Sequence, residues 1–319
     1  MSFRGEPKPA CAHALAALIM LASACASGPE HSALLTRPDA DALEVHVAER
    51  ALMVALHPGD ETVAAAGLAQ RVLRRVGGFD TLVLANGEST AASERDRRAE
   101  VKERSREARA AAAISSKQLR LHLLGVSDAE IAAMSCGREF QAVLPDAACP
   151  RDGSPPQRGR AEPSMSRTAR SLLDTLVREL HARMPTLLLF PDPREGPPDQ
   201  RAICVLTLLA LREHMRGSDG PWPRALTFVV GPASTLQHVY DADAPPPEPP
   251  LCLALSDSER ETKRRALAVY RSQRRTLPAF ARDDECFVHS TRLDVEMAAL
   301  RMFGKPAGGS DARRWSRAW

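Results

Sequence analysis

Ala51-Leu52-Met53-Val54-Ala55-Leu56-His57-Pro58-Gly59-Asp60-Glu61 is the stretch that decides the fold. Six apolar residues run straight into a Pro-Gly turn and a helix-patterned segment, which describes a buried strand handing over to a helix. Open α/β sheets place their sites at the carboxyl ends of such strands. A His and an Asp three residues apart at that point can turn two metal-binding atoms toward one place. Between them stands Gly59, where a hydrolytic metal site would want a second carboxylate.

Outward from this stretch, apolar runs alternate with helix-patterned segments, the signature of a parallel α/β sheet. A helix is expected over about 61–76, closed by Gly77-Gly78, then strand 81–85, charged helix 94–113 and strand 119–124. Next come a helix over 166–182, strand 186–190, a helix to about 215 with Asp199 placed to cap it, and strand 225–230. A last helix is expected over 258–274, opened by the capping-box pattern Ser258-Glu259-Arg260-Glu261. Residues 150–163 read as a surface loop, 241–250 as a polyproline-type connector and 304–319 as a disordered tail.

Residues 1–30 read as an export signal rather than as part of the fold. Arg4 and Lys8 open it, Ala14–Leu21 is apolar, and Ala22–Ser27 supplies small residues for cleavage. Cys25 after Ala-Ser-Ala also resembles a lipoprotein cleavage site, with Leu21 one position further upstream than that pattern has it. The expected location is therefore the bacterial envelope or periplasm, reached by simple secretion or with Cys25 as a lipid anchor, and with membrane contact only through that signal or anchor. Five cysteines then remain, an odd number; Cys136 with Cys149 and Cys252 with Cys286 are conceivable pairs, and Cys204 reads as a buried thiol. The net charge of +3 is spread over interleaved acids and bases, which argues against nucleic acid as a partner. No Gly-x-Gly-x-x-Gly follows the first strand, so dinucleotide binding has little support.

The order of the pieces resembles a known family. Strand, His-Pro-x-Asp-Glu and helix are followed by a strand ending in Asn86-Gly87-Glu88 and by Arg104-Ser105-Arg106-Glu107-Ala108 on a helix. A strand ending before Ser127-Asp128, the segment Gly196-Pro197-Pro198-Asp199-Gln200 and a late Tyr270-Arg271-Ser272-Gln273 complete the series. From Ala51 to Phe287 this is similar to the PIG-L/LmbE family of zinc-dependent N-deacetylases, which act on N-acetylglucosamine-type conjugates. The resemblance implies a Rossmann-like three-layer α/β fold with a mostly parallel central sheet, one domain over residues 45–290, and an amino-sugar conjugate as partner.

It also implies roles. His57 and Asp60 match zinc ligands, and Gln200 stands where the family has its third ligand, a His. Gly59 stands at the position of the general base, and Pro197 at that of a His that polarises the amide. Arg104 and Asp128 match residues of the substrate pocket. For Arg104 the bland alternative is a solvated ion-pair face with Glu100, Lys102 and Glu103; for Asp128 it is a helix cap. Glu61 is expected to support the turn, and Asp192 or Asp199 is the candidate to replace the base.

Catalytic zinc takes three ligands from His, Asp, Glu or Cys, and a neutral Gln amide is a weak substitute for imidazole. A missing base costs on the order of 10²–10⁴-fold, and a missing oxyanion donor about 10²–10³-fold. The expectation is a family member whose deacetylation is impaired or inactive, alternatively a sugar-binding or interaction module of the envelope. A working hydrolase with an altered metal site is the competing expectation.

Overall fold

The protein is described here by a computed structural model that covers residues 41–88, 93–136, 140, 167–194, 197–216, 220–230, 250–277, 283–292 and 294. The expected signal, Cys25, Cys149, the 150–163 loop, nearly all of the 241–250 connector and the tail lie outside them. The described strands are β1 (Asp41–Ala42), β2 (Arg50–Ala55), β3 (Gly78–Ala85), β4 (Arg120–Val126), β5 (Leu187–Pro191), β6 (Arg224–Phe228), β7 (Leu251–Ala254) and β8 (Asp284–Ser290). The helices are α1 (Asp60–Arg74), α2 (Glu94–Ser115), α3 (Asp128–Ser135), α4 (Arg167–Arg183), α5 (Pro198–Arg216) and α6 (Asp257–Ala268), with a 3-10 turn at Arg271–Gln273.

One sheet runs β1-β7-β8-β6-β5-β2-β3-β4, parallel except where β8 meets β6 and β7. Strand β2 shows why the apolar run was continuous. Leu52, Val54 and Leu56 pack with α3, α4 and α5 on one face. Ala51, Met53 and Ala55 pack with α1 on the other. A central parallel strand buried on both faces needs no polar alternation. Helices α2 and α6 lean together against α1 through Val63, Ala108, Ala111, Ala266 and Leu267.

Three expectations change. The last helix stops at Ala268, and Tyr270–Gln273 leaves it as a separate turn. Its cap is Ser256, which forms a capping box with Glu259, rather than Ser258. Asp199 lies inside the first turn of α5, not at its cap, because Pro198 already opens the helix. Among the conceivable disulfides, Cys252–Cys286 is present and joins directly opposed residues of β7 and β8. Cys136 is disulfide-bonded as well, and Cys204 is a buried free thiol.

Helix α1 is interrupted at Ala65 (φ −144°, ψ 19°). The break frees backbone donors, and Glu285 of β8 takes them: its two oxygens accept from Gly67 N and Leu68 N, each at 2.8 Å. Gly67 suits this close approach, since a Cβ there would lie 2.2 Å from Leu255 Cδ2. Lys263 of α6 neutralises Glu285 at 2.9 Å, and both side chains are buried. The site-bearing first turn of α1 is thereby separated from the rest of the helix.

Candidate active site

Strands β3 and β4 follow β2 on one side, while β5 and β6 lie on its other side. The chain order reverses between β2 and β5, the place where open α/β sheets have their binding crevice at the carboxyl ends. His57 and Asp60 follow β2, Glu88 follows β3, Asp128 follows β4 and Gln200 follows β5, so the topology alone gathers the matched residues.

His57 Nε2 lies 2.7 Å from Asp128 Oδ1, and the other oxygen of Asp128 accepts from Glu88 N at 2.6 Å. Asp60 Oδ2 accepts from His57 N at 2.9 Å and from Gln200 Nε2 at 3.2 Å. The Oε1 atom of Gln200 is buried without a hydrogen-bond partner. Burial pushes the His57 imidazole down, but the bond to Asp128 and the charges of Asp60, Asp128 and Asp199 outweigh it, and its pKa lies above the usual value. Burial raises Asp60, more than His57, its backbone N–H and Gln200 lower it. For Asp128 burial is overcome by His57, Glu88 N and Arg104, and its carboxyl lies below the usual range.

Gly59 has φ +113°, a conformation that L side chains rarely adopt. A Cβ there would lie 2.9 Å from Leu277 Cδ1 and 3.7 Å from Gln273 Nε2. Gln273 Nε2 donates to Pro58 O at 3.0 Å. The space beside the position of the base is thus filled by the segment that follows α6. Glu61 is committed below it: one oxygen accepts from Gly59 N at 2.9 Å, the other from Thr62 Oγ1 and Tyr270 OH. Burial raises its pKa against the pull of Tyr270 and Gly59 N. Ser272 donates through both N and Oγ to the two oxygens of Glu107 on α2. Tyr270, Ser272 and Gln273 therefore clamp the His57–Glu61 turn onto α2. The sequence offered Tyr270-Arg271-Ser272-Gln273 as a motif but no role for it.

The other candidates fall into two groups. Arg104 lies against Gly87, where a Cβ would come within 2.6 Å of its Nη1, and its Nη2 is 3.3 Å from Glu100. Its charge reaches Asp128, so it belongs to the cleft and to the ion-paired helix face at once. Asp128 does not cap α3; Ser127 does. Asp199 is half-buried and accepts from Gln200 N at 2.9 Å, fixing the start of α5. Asp192 stands apart: it is fully buried, receives Arg194 Nε and Nη2 at 2.8 Å each and Thr227 Oγ1 at 2.6 Å, and has no oxygen left to take a proton from water.

The donor set does not fit zinc. The third position decides this: Gln200 is a neutral amide and turns its nitrogen, not its oxygen, toward Asp60, so it offers a donor where a cation would need an acceptor. A cation needs acceptor atoms facing it. Among the described residues, the one set of three His, Cys, Asp or Glu ligand atoms within 4.8 Å of one another is Cys252, Asp284 and Cys286, where the sulfurs form the disulfide.

The sequence profile of the GlcNAc-PI de-N-acetylase family, PIG-L, matches residues 52–211. No protein of curated function matches in sequence. The A40926 pseudoaglycone deacetylase Dbv21 has a similar structure, at 15% identity and a TM-score of 0.53, over 77% of this chain and 98% of that one. The 4-carboxy-2-hydroxymuconate hydratase GalB of Pseudomonas putida KT2440 is similar at 13% identity and a TM-score of 0.51, over 76% and 96% of the two chains. Identities this low speak for the fold, and one fold carries both a deacetylase and a hydratase. The profile spans half of the chain, from β2 through most of α5, and so takes in His57, Asp60, Arg104, Asp128 and Gln200: the chain belongs to the PIG-L family of GlcNAc-PI de-N-acetylases.

Proposed function

We propose that this chain is a PIG-L protein whose de-N-acetylase chemistry is impaired or lost, and whose cleft at the carboxyl ends of β2 to β5 retains the binding of an amino-sugar conjugate. The observation that carries this reading is the Gln200–Asp60 hydrogen bond at 3.2 Å. A neutral amide donor sits on the carboxylate that the family gives to its metal, and in doing so supplies a hydrogen-bond partner that a buried carboxylate needs. Metal-assisted hydrolysis requires a cation that acidifies water and a base that takes its proton. Position 200 provides an N–H in place of the one and position 59 a bare backbone in place of the other.

What remains is a polar floor. His57 paired with Asp128, the Arg104 guanidinium and Asp199 present fixed donors and acceptors at the mouth of the crevice, the kind of set that orients hydroxyl and acetamide groups. Metal analysis of the purified protein, run with deacetylation assays on N-acetylglucosaminides, tests the reading. Stoichiometric zinc together with turnover by the native sequence would sink it; sugar binding without metal or turnover supports it. Binding of neither favours an interaction module instead. The envelope location rests on residues 1–30 alone, and cell fractionation of the full chain checks it.

A further inference from the structure

The opposite, amino-terminal edge of the sheet holds a second polar cavity of about 390 Å³, within the size range of small-molecule sites. Arg50 at the start of β2, Arg120 at the start of β4, His122 two residues further on and Arg183 at the end of α4 line it, with Asp80 of β3 among them. Asp80 is nearly buried and is shared by its neighbours. Arg120 binds it through Nε and Nη2 at 2.8 and 2.6 Å, Arg183 Nε lies 3.4 Å from Oδ1, and His122 Nε2 lies 3.3 Å from the same oxygen.

This arrangement carries more positive charge than it neutralises. Three guanidinium groups meet the carboxylates of Asp80 and Glu179, the latter paired with Arg183. Arg50 has no carboxylate partner among the described residues, and its Nε donates to Met184 O at 2.8 Å. Met184 adopts φ +44° just past the end of α4, a conformation uncommon outside glycine. That contact ties up Nε, and among the described residues neither Nη group of Arg50 has a hydrogen-bond partner. Arg183 is engaged on all sides: its buried Nε faces Asp80 Oδ1, its Nη1 pairs with Glu179 and its Nη2 lies 3.2 Å from His122 Nε2, so it contributes charge rather than a free donor. Like charges held this close repel unless an anion joins them, and planar guanidinium forks match the oxygens of phosphate.

We propose that this cavity binds a phosphoryl group, with the Nη groups of Arg50 and the Nη1 of Arg120 as its donors, Arg183 as a further positive charge, and Asp80 as the residue that holds Arg120 and Arg183 side by side. The site lies at the other end of the strands from the His57 cleft and does not depend on how that cleft is read.

Calorimetric titration of the full chain with inorganic phosphate at low ionic strength tests it. Saturable binding is expected, weakened roughly tenfold or more in Arg50→Gln, the loss of one charge-assisted hydrogen-bond donor. Arg50 forms no ion pair among the described residues, so this variant is expected to fold; Arg50→Lys keeps the charge without the fork and should lose part of the affinity. Glucose 6-phosphate and phosphatidylglycerol vesicles, each titrated in parallel, tell a soluble phosphomonoester from a lipid headgroup. Absence of saturable binding in all three arms, or binding that Arg50→Gln leaves unchanged, overturns the assignment.

Discussion

Restoring the family's carboxylate at position 59 should damage the protein rather than repair it. Gly59 sits at φ +113°, and an L residue forced into such a region costs about 1–3 kcal/mol. Its Cβ would also lie 2.9 Å from Leu277 Cδ1, the tip of a flexible side chain. Turning that leucine off its rotamer adds about 0.5–1.5 kcal/mol. Gly59→Asp should therefore lose about 1.5–4.5 kcal/mol, a large share of the 5–15 kcal/mol or so that holds a typical domain. Urea unfolding of the native chain, Gly59→Ala and Gly59→Asp measures this, as a lower midpoint at unchanged slope. Alanine carries the backbone and Cβ costs without the carboxylate, so it should account for most of the loss. If both variants stay within about 0.5 kcal/mol of the native chain, the turn is not locked and the reasoning fails. Position 200 lies on an ordinary helix, so Gln200→His alone should gain more zinc affinity than the double change with Gly59→Asp.

Three further outcomes follow from the packing. Tyr270→Phe removes a donor from the buried Glu61 carboxylate and should cost about 1.5–3 kcal/mol in thermal or chemical unfolding; an unchanged stability would mean that the clamp on the His57 turn is not energetic. Lys263→Met leaves the buried Glu285 without its counter-charge, at about 3–5 kcal/mol, and adding Glu285→Gln should recover part of the loss. Glu259 is buried; burial raises its carboxyl, but Arg71, Ser256 N and Arg74 overcome this and hold the folded pKa at about 2 against an ordinary 4.5. Its contribution is then fully present above pH 4.5 and lost as pH falls toward 2. The difference amounts to at most about 3 kcal/mol, and to about half of that once screening at Arg74, whose side chain is 55% exposed, is allowed for. In acid unfolding, the gap between the native chain and Glu259→Gln should close over that interval.

The sheet centre was legible because strands buried on both faces leave unbroken apolar runs, as at Leu52–Leu56 and Leu187–Phe190. The edge was not. Strand β1 has two residues and β7 four, and β8 carries Glu285 inward as the cap of a broken helix, which no period-two pattern reveals. In the site, the residue types at positions 57, 60 and 200 were readable, and so was the order of strands that gathers them. The engagement of Asp192 with Arg194 and Thr227 was not, because it depends on β6 lying beside β5. Nor was the backbone of Gly59. As a letter, glycine reads as a missing carboxylate; with φ +113° and Leu277 beside it, it marks a turn rebuilt around having no side chain.

The most direct test of the central claim is a zinc titration of the metal-stripped protein, followed by equilibrium dialysis, on the native chain and Gln200→His side by side. The account predicts no stoichiometric zinc in the native chain and a gain of zinc affinity in Gln200→His. Tight, stoichiometric zinc on the native sequence, undiminished by Gln200→Ala, would contradict it.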